Sequence, residues 1–240
     1  MKIRILSSKH KMDFHSELEP NLWQGERLKP EIRDALLKIA DEVFGFFKTS
    51  PDLIEDIRFT GSLANYNYTR YSDIDLHIVV DFRNISDNTS IVKELFDSKR
   101  VVWNQKHAIT IKGYEVEVYI ENLNEKHFSS GVYSITKEEW VTEPSSKKPK
   151  VDMLAVAQKT KQFMGDIETA IAAGDKDTLE RTKEKVKKMR HCGLEKGGEY
   201  SVENMAFKSL RRSGYIKKLH DAYRKEYDKS YSLPEEVNKT

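Results

Sequence analysis

The chain has 240 residues, 38% hydrophobic and 33% charged, with a formal net charge of +2 and a single cysteine. That length accommodates one large or two modest domains with a proper core, and the composition is that of a rather polar, soluble globular protein. The lone Cys192 excludes an internal disulfide and a multi-cysteine zinc site and makes a reducing, cytoplasmic setting the default, while no apolar run approaches membrane-spanning length.

Charge is unevenly spread. Residues 1–144 hold 19 Lys+Arg against 24 Asp+Glu, whereas residues 145–240 hold 22 against 15. An acidic first half suits a cation site and a basic second half suits an anionic partner.

Met1 to Leu6 lack the apolar core of a secretory signal, and the stretch to about Gly25 reads as an arm. Trp23 either stacks on a base or, the commoner role, anchors that arm to the next helix. Lys29-Pro30-Glu31 opens this helix, with proline and an acid in the first turn. Ile32, Leu36, Leu37, Ile39, Ala40, Val43, Phe46 and Phe47 form its apolar face, and Thr49-Ser50-Pro51 ends it.

Asp56 to Phe59 is a short strand running into Gly61-Ser62, where a backbone without a Cβ beside a small hydroxyl can approach a phosphate. Leu63 to Ser72 is a loop in which Asn67, Thr69 and Arg70 are candidate phosphate contacts, and its tyrosines either stack on a base or pack under the loop. Asp73-Ile74-Asp75-Leu76-His77-Ile78-Val79-Val80 reads as a buried strand. Alternate residues share a face, so Asp73 and Asp75 point one way and Ile74, Leu76 and Ile78 the other. Two adjacent carboxylates repel, and a cation between them removes the repulsion; oxygen-only ligation suits Mg²⁺ or Mn²⁺. His77 continues the acidic face, either supporting the site or as a partly buried structural histidine.

A helix through Ile91, Val92, Leu95, Val101, Val102 and Trp103 follows a polar loop. Ala108 to Ile111 and Lys112-Gly113 make a hairpin into Tyr114 to Ile120, an alternating strand whose polar face carries Glu115 and Glu117. Glu117, the more interior, is the expected third metal ligand. Residues 129–135 and 139–141 suggest a further strand pair. Glu143 to Lys150 is the linker, polar and bracketed by proline. Beyond it come helices: Met153 to Ile171 stopped by Gly174, a basic helix from Asp175 to Arg190, a loop from Gly193 to Gly198, a helix capped by Ser201, and apolar positions Ile216, Leu219 and Tyr223. No H-E-x-x-H pattern, P-loop or dinucleotide fingerprint occurs, and none of the common RNA-binding motifs is present.

Gly61-Ser62, then Asp73-Ile74-Asp75, then an acid on a later strand resembles the DNA polymerase beta-like nucleotidyltransferase superfamily, which includes poly(A) polymerases, oligoadenylate synthetases, their bacterial cyclic-oligonucleotide relatives and small antibiotic-modifying enzymes. The motifs cover about residues 56–121. The run from Leu22-Trp23 through Leu28-Lys29-Pro30-Glu31-Ile32-Arg33 to Ser72-Asp73-Ile74-Asp75-Leu76-His77 is similar to predicted nucleotidyltransferases of tailed bacteriophages, as are Gly197 to Asn204 and Phe207 to Arg212.

The resemblance implies an α+β fold: a polymerase beta-like catalytic domain with a mixed sheet over residues 1–144, then a basic C-terminal helical bundle over 151–240. It implies a metal-dependent enzyme that transfers a nucleotide monophosphate from a nucleoside triphosphate to a hydroxyl and releases pyrophosphate. Asp73, Asp75 and Glu117 would hold two Mg²⁺ or Mn²⁺ ions ~3.5–4 Å apart. Gly61 and Ser62, at the start of a short helix facing the triphosphate, would bind phosphates, with Arg70, Ser130 and Tyr133 as further nucleotide contacts. The acceptor is open: an RNA or tRNA end on the basic helices, a second nucleotide (signal synthesis), a protein side chain or a small molecule. The rival is a non-catalytic phage factor that binds nucleotide or nucleic acid. No membrane partner is expected, and the location would be the host cytoplasm for a phage-encoded chain.

Overall fold

The computed structural model describes residues 14–48, 50–125 and 129–233. The described residues fall into two compact units, one within Met12–Lys148 and the other within Pro149–Thr240.

In the first unit a two-residue strand pair, β1 (Trp23–Gln24) and β2 (Arg27–Leu28), precedes helix α1 (Pro30–Phe47). Trp23 is buried; its indole Nε1–H donates to the Leu63 carbonyl at 2.8 Å, and its ring stacks on Phe59 and Trp140. Trp23 is therefore anchored to the sheet and its loop. In α1 the expected positions Ile32, Leu36, Ile39, Ala40, Val43 and Phe47 are buried, and Phe44 joins them. Lys48 ends the helix in the left-handed conformation; Thr49, part of the expected stop, lies outside the described residues.

The sheet is built from β3 (Ile54–Thr60), β4 (Ile74–Val80), β5 (Thr110–Ile111), β6 (Tyr114–Asn122), β7 (Val132–Ser134) and β8 (Glu139–Thr142), in the order β5-β6-β4-β3-β7-β8. β4 and β6 are parallel and the other neighbours antiparallel, so the sheet is mixed. Lys112 and Gly113, both at positive φ, make the tight turn between β5 and β6.

Helix α2 (Thr89–Lys106), the helix expected here, links β4 to the β5–β6 hairpin. Val92, Phe96 and Trp103 are buried, while Ile91, Leu95, Val101 and Val102 are exposed. Two contacts set this face. Asn104 donates to the Val118 carbonyl and accepts from the Val118 N–H, both at 3.1 Å, satisfying backbone groups of β6. Phe96 stacks on Phe47 and also meets Phe82. Aromatic volume and a strand's unmet hydrogen bonds outweigh the count of aliphatic residues.

Alternation gives the sheet two unlike faces. Phe59, Ile74, Leu76, Ile78, Val116, Val118 and Ile120 share a core cluster with the buried residues of α1 and α2. The other face is polar. The parallel register sets Asp75 beside Glu117 and His77 beside Tyr119, and the antiparallel register sets Arg58 beside both His77 and Ser134.

The second unit comprises α3 (Met153–Ala173), α4 (Lys176–Gly197), α5 (Val202–Arg212) and α6 (Tyr215–Tyr231). Phe163, Ile167, Leu179, Val186, Leu210 and Leu219 are in its core. Gly174 closes α3 in the left-handed conformation, and the Asp175 carboxylate accepts from Thr178 N–H at 3.0 Å to start α4. The loop expected from Gly193 is instead helix as far as Gly197. A Cβ on Gly193 would lie 2.4 Å from Glu203 Cβ and 2.8 Å from Ser201 Oγ, so this glycine admits the start of α5 and does not break α4. Among the described residues no helix is long and apolar enough to cross a membrane.

Candidate active site

The site begins where two polar strand positions meet. Asp73 lies just before β4 and Asp75 is its second residue, two apart and so on one face. The parallel register then brings Glu117 of β6 alongside Asp75. Each of the three offers a carboxylate oxygen within 4.8 Å of the others, and all three are half-buried. Glu115, also on β6, is exposed and pairs with Thr110 in the hairpin, so Glu117 is the acid the structure brings to the pair.

Three anionic groups this close repel one another in a partly desolvated setting. A divalent cation relieves this, and the donor set consists of oxygens alone, without histidine or cysteine, which suits a hard ion such as Mg²⁺ or Mn²⁺. The residues present fit the metal.

Gly61 ends β3 with φ 79° and ψ −160°, backbone space that is essentially glycine's alone. A Cβ there would fall 1.8 Å from Asp75 Oδ2, so the missing side chain makes room for the carboxylate itself. Its N–H donates to Ser129 Oγ at 3.2 Å. The short helix expected after it is a single 3-10 turn, Ser62–Ala64. Asn65 then turns extended and its side-chain carbonyl accepts from Tyr66 N–H, which halts helix propagation. The Ser62 hydroxyl donates to Ser72 Oγ at 2.7 Å, and Ser72 Oγ also accepts from Thr69 N–H at 3.0 Å. These bonds hold the loop that ends at Asp73.

Of the other expected contacts, Arg70 is exposed with its guanidinium 4.6 Å above the exposed Tyr71 ring. Tyr66 and Tyr68 are buried and pack under the loop. Ser130 is hydrogen-bonded to Asn65 Nδ2. Tyr133 is not brought to the acids. It pairs with Phe59, on the apolar parity of the sheet, and is buried edge-on against Trp23 and Trp140.

The sequence reading placed His77 on the acidic face but missed the rest of the polar row that continues from the acids along it. Tyr119 O–H donates to Glu117 Oε2. The Tyr119 ring stacks on His77, whose Nδ1 is 2.7 Å from Glu121 Oε2. Arg58 donates to Glu121 at 3.3 Å and to Asp56 at 2.9 Å, and Asp56 accepts from Ser134 at 2.7 Å and from Thr136. Alternation within β3 and β6 carried this signal: Asp56 and Arg58, like Glu117, Tyr119 and Glu121, are two apart. Burial, the Asp75 charge and the bond to Glu117 push the Tyr119 phenol well above its ordinary pKa, so it remains a hydrogen-bond donor.

Residues 40–141, from inside α1 to β8, match the family model described as a nucleotidyltransferase domain. No curated protein matches the chain. Among solved structures the chain is similar to a STING-associated CdnE c-di-GMP synthase from Capnocytophaga granulosa, at 15% identity over 86% of this chain and 84% of that one, with a TM-score of 0.21. The family match falls on the mixed sheet and its acidic cluster, and the enzyme class that it supports is a transferase of the EC 2.7.7 type.

Proposed function

We propose that this chain transfers a nucleotide monophosphate from a nucleoside triphosphate to a hydroxyl on RNA, releasing pyrophosphate. The observation that carries the reading is the convergence of Asp73, Asp75 and Glu117 inside the segment that matches the nucleotidyltransferase domain. Asp73 and Asp75 would hold two divalent ions, with Glu117 completing the site on the acceptor side. When bound, such ions neutralise the phosphates and make the acceptor hydroxyl a better nucleophile. Glu117 is the carboxylate that takes the proton of the attacking hydroxyl. Gly61 and Ser62, next to Asp75 and Ser72, would border the β- and γ-phosphates, and Arg70 supplies an exposed cation on the loop between them. RNA as the acceptor rests on the basic residues 145–240, where Lys187, Lys188, Arg211, Lys217 and Lys218 are exposed.

The test incubates the protein with each α-labelled nucleoside triphosphate, Mg²⁺ or Mn²⁺, and total RNA and protein. Label is expected in the RNA fraction and is expected to vanish in a folded Asp75→Asn variant. Retained transfer in that variant would overturn the assignment of the acids, and label in protein would move the acceptor.

A further inference from the structure

The acid of β6 does not stand alone. Tyr119, two residues on and on the same face, donates its phenol hydrogen to Glu117 Oε2. The tyrosine is itself restrained from two elements. The His77 ring of β4 stacks on it at 4.9 Å and 29°, and the Arg100 guanidinium of α2 lies 4.7 Å from its centroid. Each neighbour is tied down in turn. His77 is bonded to the buried Glu121, and Arg100 is ion-paired with Asp97, one helical turn before it, at 3.7 Å. A phenol so restrained can fix a flexible glutamate in one rotamer. Glutamate otherwise loses more side-chain entropy on ordering than aspartate, having one more rotatable bond.

We infer that Tyr119 is a positioning residue for Glu117: it orients one carboxylate oxygen of Glu117 toward Asp73 and Asp75 and so sets the affinity of the acidic cluster for a divalent cation. This rests on the reading of the three acids as metal ligands. The Oε2 lone pair that faces Tyr119 is occupied, which leaves the remaining lone pairs of the carboxylate to the cation. Partners of this kind change metal affinity by about 10–100-fold without touching the ion.

The experiment titrates Mn²⁺ into the full chain without nucleotide, reading free Mn²⁺ by electron paramagnetic resonance. It compares wild type, Asp75→Asn, Tyr119→Phe, Glu117→Gln and the Tyr119→Phe/Glu117→Gln double variant, each checked by near-ultraviolet circular dichroism. Tyr119→Phe keeps the ring and removes one oxygen; it is expected to weaken Mn²⁺ binding roughly 10-fold or more. It should have no further effect once Glu117 is Gln, because it acts through that side chain. In turnover it should lower kcat with little change in KM for the nucleotide. Unchanged Mn²⁺ affinity in a folded Tyr119→Phe, with binding lost in Asp75→Asn, would overturn this inference and leave the metal reading intact. An equal loss in the Glu117→Gln background, or loss of the fold in Tyr119→Phe, would show that the tyrosine serves packing and would also overturn it. Absence of Mn²⁺ binding by the wild type would remove both.

Discussion

At the scale of single residues, a tight constraint at the acids is the contact between Gly61 and Asp75. Gly61→Ala places a methyl group where the Asp75 carboxylate lies and also forces a backbone conformation that L side chains rarely adopt. The strain is of order 1–3 kcal/mol, and a carboxylate displaced by about 1 Å lowers transfer roughly 100-fold. Denaturant midpoints and kcat, measured together, would check this; wild-type kcat in Gly61→Ala would show that the carboxylate moves aside without consequence. The Asp75→Asn variant differs in kind, since it removes charge with little change of shape and should lose transfer while keeping its stability. A glycine before D-x-D was legible in the sequence. Its reason was not, because the colliding oxygen comes from a residue fourteen positions later on a neighbouring strand.

At the scale of elements, α2 and α4 show how a correct period can leave the face or the end of a helix undetermined. Phe96 is buried against Phe47 and Phe82, while Leu95 beside it is half exposed. Phe96→Ala should therefore cost about 3–5 kcal/mol. Leu95→Ala should stay within about 0.5 kcal/mol, and urea unfolding of the two variants would separate them. Equal effects would mean that the helix is rotated from the face seen here. In α4, Gly193→Val should destabilise the helical unit by about 1–3 kcal/mol through overpacking against Ser201 and Glu203, read as a lower thermal midpoint. A glycine with a charged stretch on either side looks like a helix end in sequence. Its packing role exists only once α5 lies against it.

At the scale of the whole molecule, charge segregation connects composition to function. The acids that would hold cations lie in the half with net −5, and residues 145–240 carry net +7. RNA bound by that surface should release counterions, so affinity should fall linearly with salt on a double-logarithmic plot. Lys187→Glu together with Lys188→Glu should make the slope shallower by about one for each phosphate that is no longer neutralised, and should weaken binding evenly across sequences. Asp75→Asn should leave RNA affinity intact, and filter binding at several salt concentrations would check both. A salt-independent affinity would point away from phosphate recognition.

Local pattern was enough for the mixed α+β class, for the pairing of Asp73 with Asp75 on one face, and for the helical character of residues 153–231 apart from short turns. Strand alternation, helical period and capping are rules read within a few neighbours along the chain. Two outcomes waited on the assembled sheet: that Tyr133 belongs to the core, and that Tyr119, Glu121, Arg58 and Asp56 continue the acidic face on which His77 was already legible. They depend on register between strands far apart in the chain. A shift of one residue would turn every side chain of β6 to the opposite face, so no local pattern could have announced which residues of distant strands would meet.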